Sequence, residues 1–254
     1  MVIIMKDKVE VLGVKFDDIG ETGLIDILNE IISGEGRDNF KIITPNPEIV
    51  YAANKDESLL GMINSAGLVL KDGIGIIIAQ KLKGIEAQGR LTGYDTLTKI
   101  LSLANSNNNS IYIVGAKEEI VSKAVDAIKD EYQNINIMGY HNGYFSEDSK
   151  EEESIIDDIK ASSPDIVVVA MGFPKQEKFM SKLKNNKLSI GCGGSLDVLS
   201  GEMKRAPQFI QKIGMEWLYR LFKEPSRIKR QVAIPKFLFK ILFTKNSVRK
   251  YKEE

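Results

Sequence analysis

The sequence predicts an α/β fold: a mostly parallel, Rossmann-like sheet flanked by helices, with a helical C-terminal appendage. Two observations predict it. Short runs rich in Val, Ile and Leu alternate with amphipathic stretches from residue 8 to about 195, the order expected of a parallel sheet covered on both faces. From about residue 203 the strand signal stops, and the chain becomes helix-forming segments rich in Lys, Arg and aromatic residues.

The first strand is VEVLGVKF (9–16), followed by a helix near 20–33. KIITP (41–45) is the second, and it runs through TPNPE into a helix near 47–65, where Asn46 suits the cap and Pro47 the first turn. LVLKD (68–72) is the third, with an Asp-Gly exit into a helix near 73–82. A helix near 93–105 follows, capped by Thr92 or Gly93, and NSNNNS (105–110) reads as a polar loop between two halves. The second half is the more regular one. Its strands are SIYIVGA (110–116), INIMGY (135–140), DIVVVAMG (165–172) and LSIGCGG (188–194), joined by helices near 117–132, 148–162 and 175–185. Residues 1–202 are therefore read as the α/β core, and 203–254 as a basic, helical, membrane-associating appendage that completes the site.

With 254 residues, 43% of them hydrophobic, the chain can bury a large core. Its formal charge of zero hides an asymmetry. Residues 1–203 carry 21 Lys and Arg against 31 Asp and Glu, whereas 204–254 carry 14 against 4. A basic tail on an acidic body fits an anionic partner (a membrane surface, a pyrophosphate or a nucleic acid) or docking on its own body. One cysteine, Cys192, rules out an internal disulfide and fits a reducing compartment. MVIIMKDKVEVLGVKF is too short in its apolar run and too early in its charges for a signal peptide. VAIPKFLFKILF (232–243) falls short of the roughly 20 residues that span a bilayer. It reads either as a helix lying on a membrane, with Phe237, Leu238, Ile241 and Leu242 inward and Lys236 and Lys240 snorkelling, or as one packed on the body or in a homo-oligomer interface.

Ligands of parallel sheets bind beyond the carboxyl ends of the strands. That rule selects 44–48, 72–75, 115–116, 140–144, 172–176 and 191–195. Thr44 and Asn46 would point into the crevice. By spacing alone Asp72 suits a helix cap or turn better, but by position it stands where a general base would stand. Arg90, ahead of Tyr94 and Asp95, fits a carboxylate or phosphate clamp or an ion pair. Gly172 opens a helix start whose N–H groups favour an anion, with Lys175 and Gln176 as side-chain donors. Gly193, Gly194 and Ser195 allow backbone to approach a ligand closely, or answer to packing alone. Gly115, Asn142 and Tyr144 complete the substrate-binding candidates, and the single histidine, His141, reads as a turn or sugar-contact residue. Among metal, thiol and phosphate-loop signatures, DxD, HExxH, a Cys cluster and a P-loop are all missing. An NAD(P)-linked sugar enzyme is disfavoured, because IVGAKEE offers one glycine where three are expected. A nucleic-acid or membrane adaptor built on the tail would leave Asp72 and the glycine loops without a task.

TPNPEIV, KDGIGI, RLTGYD, GFPKQE, GCGGSLD and GMEWLYRLFKEPSRIKRQ, in order and across nearly the whole chain, resemble the WecG/TagA/CpsF family of glycosyltransferases, nearest to its members in wall teichoic acid synthesis. The resemblance implies metal-independent, inverting transfer of N-acetylmannosamine from a UDP-sugar donor to the 4-hydroxyl of a lipid-pyrophosphate-linked GlcNAc acceptor. A mannosaminuronic acid or another UDP-sugar is the alternative donor. It also implies no cofactor, no nucleic-acid partner, and a peripheral position on the inner face of the cell membrane. By motif match Asp72 is the base, Thr44 and Asn46 line its pocket, and Arg220, Arg227 and Arg230 come from the appendage. Inversion needs a base and a counter-charge for the departing diphosphate, and arginine forks grip phosphate oxygens in pairs. Trp217, Leu218, Leu221 and Phe222 are expected to form the buried face opposite those arginines.

Overall fold

A computed structural model describes residues 7–223, 225, 228 and 232–252. Nine strands and twelve helices are assigned among them. In chain order they are β1 (Asp7–Val11), β2 (Val14–Asp17), α1 (Glu21–Ser33), β3 (Phe40–Ile43), α2 (Pro47–Ala53), α3 (Glu57–Asn64), β4 (Leu68–Val69), α4 (Ile74–Leu82), α5 (Gly93–Ser106), β5 (Ser110–Gly115), α6 (Glu118–Glu131), β6 (Asn136–His141), α7 (Lys150–Ser162), β7 (Ile166–Ala170), α8 (Lys175–Lys182), β8 (Leu188–Gly191), α9 (Ser195–Leu199), α10 (Gln208–Lys212), α11 (Glu216–Lys223), α12 (Ala233–Phe243) and β9 (Val248–Lys252).

Strands β4-β3-β8-β7-β5-β6 form one sheet in which every pairing is parallel. Both halves of the sequence thus share a single sheet, with β8 returning to sit between β7 and β3. The run IVVVA of β7 is buried throughout, as a central strand covered on both faces must be. Alternate side chains separate the two faces. Ile166 and Val168 join Ile111, Ile113 and Ile190 under α1, α5 and α6. Val167 and Val169 join Val114, Ile43 and Phe179 in a second core on the opposite face.

Helix α1 buries Leu24, Ile27, Leu28, Ile31 and Ile32, a stripe at three- and four-residue spacing. The helix expected over 47–65 is two helices. Asn54 ends the first, and the Asp56 carboxylate caps the second by accepting from Ser58 N at 3.0 Å and Leu59 N at 3.1 Å.

Two further expectations are corrected. VEVLGVKF is a hairpin rather than one strand: Leu12 and Gly13 both have positive φ, the backbone of a two-residue turn, and Val11 pairs with Val14. Nor is the chain after residue 203 free of strand. Lys and Arg mask VRKYK, yet β9 pairs antiparallel with β1 in a three-stranded sheet ordered β2-β1-β9. A cationic strand at a sheet edge is a common guard against further pairing.

Between them, α12 packs on α2 and α4. Phe237 and Ile241 are fully buried in the second core. Leu238 is half-buried. The face expected to meet a membrane is largely spent on the body, and Phe239, Leu242 and Phe243 are the exposed large hydrophobic residues of this helix.

Candidate active site

At the carboxyl ends of β3, β8, β7 and β5 the loops enclose a cleft of about 880 Å³. That lies within the range typical of small-molecule sites. Its polar floor comes from Thr44, Asn46, Asp72, Gly172 and Gly193–Ser195, and its apolar wall from Ile74, Ile78, Met215, Trp217, Ile234 and Leu238.

Most of the floor residues stand at or just before the start of a helix. Asn46 caps α2: its Oδ1 accepts from Ile49 N at 3.1 Å, so its amide nitrogen is the end left to donate. Pro47 follows at the first helical position. Gly75 packs on it so closely that a Cβ there would stand 2.5 Å from Pro47 Cγ. Gly73, at φ +87°, makes the turn into α4 that puts the half-buried Asp72 on the cleft. Asp72 N lies 3.4 Å from Pro45 O, so the two loops carrying Asn46 and Asp72 are joined through backbone. Thr44 Oγ1 is buried, donates to Gly191 O at 3.4 Å and abuts Gly93, where a Cβ would approach it to 3.0 Å.

The RLTGYD stretch is held by the C-terminal segment. Thr92 is the cap of α5, accepting from Asp95 N at 3.1 Å and donating to Asp95 Oδ2 at 2.7 Å. Arg205 Nη1 reaches Asp95 Oδ1 at 2.7 Å, and its guanidinium stands 4.6 Å from the Tyr94 ring centroid. Burial opposes the charge on Asp95, but the hydrogen bonds from Arg205 and Thr92 outweigh it and hold the carboxyl below the ordinary range. Burial raises Tyr94, against the pull of Arg205. Arg90 Nη2 donates to Gln211 O at 3.3 Å and lies 3.9 Å from Glu216 Oε2, while Arg205 Nε lies 3.8 Å from Glu216 Oε1. Arg90 and Tyr94 line the cleft; Asp95 is not among the lining residues.

Gln176 lines the cleft but spends its amide on protein: Oε1 accepts from Gly193 N at 3.0 Å and Nε2 donates to Glu177 Oε1 at 2.9 Å. Ser195 Oγ donates to Cys192 O at 2.7 Å. Lys175 does not line the cleft; its ammonium donates to Gly143 O at 2.9 Å and to Phe145 O, and sits 4.1 Å from the Phe145 ring centroid. Burial pushes its pKa down, against the pull of nearby Glu152. Asn142 also stands off the cleft, accepting from Tyr144 N at 2.8 Å and donating to Glu118 at 3.2 Å, and so aims the exposed Tyr144, which does line it. Gly115 closes against the Ala170 carbonyl and leaves Ala116 at the cleft. His141 Nδ1 is 2.8 Å from Asn142 O, a contact within the turn. Burial pushes the Cys192 thiol up to about 12, which leaves no thiolate nucleophile.

Arg227 and Arg230 lie outside the described residues, as does the side chain of Arg220. The buried face expected of α11 is corrected. Phe222 is 77% exposed, Leu218 and Leu221 are half-buried, and Trp217 lines the cleft. Residue patterns also missed Arg205, Glu216 and Ile234, and gave Leu238 to a face meeting membrane, body or a second copy rather than the cleft; the place of all four depends on how the C-terminal segment returns. The only hint in the sequence was the lone tryptophan beside Glu216. Among the described residues no three His, Cys, Asp or Glu side chains are grouped to hold a metal ion.

Over residues 9–251 the chain matches the family described as Glycosyl transferase WecG/TagA/CpsF family. It is similar to the N-acetylglucosaminyldiphosphoundecaprenol N-acetyl-beta-D-mannosaminyltransferase of Bacillus subtilis (strain 168), with 39% identity over 204 residues, 79% of this chain and 78% of that protein. The protein of the same name from Staphylococcus aureus (strain MW2) is 34% identical over 248 residues, 96% of both chains.

Proposed function

The chain belongs to the WecG/TagA/CpsF family of glycosyl transferases, and from that premise we propose that it moves N-acetylmannosamine from its UDP-activated form to the 4-hydroxyl of GlcNAc-diphosphoundecaprenol, with inversion and without a metal ion. The observation that carries this reading is the meeting of Asp72, Thr44 and Asn46 in one cleft with the glycine turns at 172 and 193–194. A carboxylate faces the same space as backbone suited to a diphosphate.

In this mechanism the Asp72 carboxylate takes the proton of the acceptor hydroxyl. The acceptor oxygen bonds to the anomeric carbon from the face opposite the diphosphate, the bond from that carbon to the phosphate oxygen breaks, and UDP carries away the electron pair. Asn46 contributes an amide donor and Thr44 a hydroxyl beside the reacting centre. The start of α8 and the glycine turns meet the growing negative charge. Arg220, Arg227 and Arg230 are assigned to the same diphosphate by motif.

No described helix is long and apolar enough to cross a membrane. The proposal places the enzyme against the membrane that holds the lipid acceptor, through Phe239, Leu242 and Phe243 on α12, with Lys236 and Lys240 among them. Each cation near an anionic surface contributes about 1 kcal/mol.

The test is a donor screen with a short-chain GlcNAc-diphosphate lipid and a panel of UDP-sugars, with and without EDTA. Transfer from UDP-N-acetylmannosamine that persists in EDTA supports the proposal. Transfer only from the uronic acid donor reassigns the sugar, and loss of all transfer on chelation removes the metal-free mechanism.

A further inference from the structure

The GFPKQE stretch ends in an acid that the mechanism does not use. Glu177 is 1% exposed, and its Oε2 is buried with no hydrogen-bond partner, whereas its Oε1 accepts from Gln176 Nε2 at 2.9 Å. Gln176, itself 4% exposed, turns its Oε1 to Gly193 N–H at 3.0 Å. Gly193 has φ +51° and lies in the turn that lines the cleft.

We propose that Glu177 is a positioning residue: by fixing which way the Gln176 amide faces, it holds the glycine turn at 193–194 in the shape that receives the donor's diphosphate. The inference rests on reading this cleft as the donor site.

An amide has two ends of nearly equal shape and opposite polarity. Flipped, Gln176 would set its NH₂ against the Gly193 N–H, donor to donor, and its oxygen against the Glu177 oxygen, acceptor to acceptor. Only the observed direction satisfies both neighbours. The amide has little room to escape, because a Cβ at Gly191 would lie 2.9 Å from its nitrogen. Burial raises the pKa of this carboxyl, against the hydrogen bond from Gln176. An acid in the first turn of a helix is favourable by itself. An exposed side chain would serve that purpose equally, so the helix start does not explain burial against Gln176.

The variants E177Q and E177L separate the roles. Glutamine keeps an oxygen that can accept from Gln176, whereas leucine fills the space without one. Calorimetric UDP binding, KM for the UDP-sugar and kcat are measured with hydrogen exchange at the Gly193 amide. E177Q is expected within about twofold of wild type. E177L is expected to weaken UDP binding and raise KM roughly tenfold, with kcat within about threefold and faster Gly193 exchange, as for loss of one buried polar contact. UDP affinity and Gly193 protection unchanged in E177L would overturn the inference, and so would an E177Q as impaired as E177L. Should E177L not fold, exchange in the wild-type protein decides: a Gly193 amide as labile as those of exposed loops refutes the relay, and a protected one supports it. A wild-type protein that binds no UDP would refute the donor-site reading, while the Gly193 exchange arm would still decide the relay.

Discussion

The guanidinium of Arg205 meets the carboxylate of Asp95 at 2.7 Å, and this contact joins the segment after α9 to the first turn of α5. Glu216 stands between Arg205 and Arg90 at 3.8 and 3.9 Å, so two residues of the RLTGYD stretch are tied to the C-terminal part of the chain. Arg205→Ala and Asp95→Ala are each expected to lower transfer about tenfold, and the double variant no further, because both remove the same contact. Steady-state kinetics on the cycle checks this; fully additive losses would show that the two act separately.

The pH dependence of that contact has a definite sign. Asp95 is held below its ordinary value when folded, so its stabilising contribution is complete above the unfolded carboxylate value of about 3.9 and is lost as pH falls through the lower folded one. Asp95→Asn should therefore flatten the acid limb of the stability curve below about pH 4 and leave its shape above pH 5 unchanged. Thermal melts from pH 2 to 7 measure it; the effect is modest, since Asp95 is 39% exposed.

Asp72→Asn keeps shape and removes the proposed base. Transfer should fall by roughly 10² to 10⁴ while UDP binding stays near wild type. A variant retaining more than about a tenth of wild-type turnover would remove Asp72 from the proposed mechanism.

Gly75→Ala places a methyl 2.5 Å from Pro47 Cγ, between the helix starts that present Asn46 and Asp72. Overpacking of this kind costs about 1–3 kcal/mol. Denaturant melts should show that loss, and transfer should fall more than stability alone explains, because the displaced groups are the ones proposed to react.

The two sides of α12 should respond differently. Phe237→Ala empties a fully buried site and is expected to cost about 3–5 kcal/mol. Phe239→Ser with Phe243→Ser removes exposed rings, so stability should hold while binding to anionic phospholipid vesicles falls at least about tenfold. Flotation of both proteins with vesicles, beside their melting curves, checks the division.

Much of this architecture was legible in residue order. IVVVA read as a strand from its run of β-branched residues, and TPNPE carried its own helix start, because a cap residue and a proline act through local backbone chemistry. The hairpin was written as a change of phase, with Val9 and Val11 at odd positions and Val14 and Phe16 at even ones, and the intact run of strand formers concealed it. The motif positions also marked the cleft, because strand ends in a parallel sheet all open on the same side. Arg90, Lys175 and Gln176 showed only that donors were present; their partners lie as far along the chain as Glu216, Phe145 and Gly193.

The sequence by itself determined the alternation of strands and helices, the caps and turns, and the set of loops that gather at one end of the sheet. All of these follow from neighbours within a few residues and from the period of burial. Only the tertiary structure decided that a strand of Lys and Arg would close onto β1, that α12 would bury Phe237 and Ile241 and leave Phe239 and Phe243 outside, and that Trp217 would face the cleft. Such choices turn on which distant surfaces meet, and a side chain's polarity does not reveal whether its partner is water, a ligand or a residue a hundred positions away.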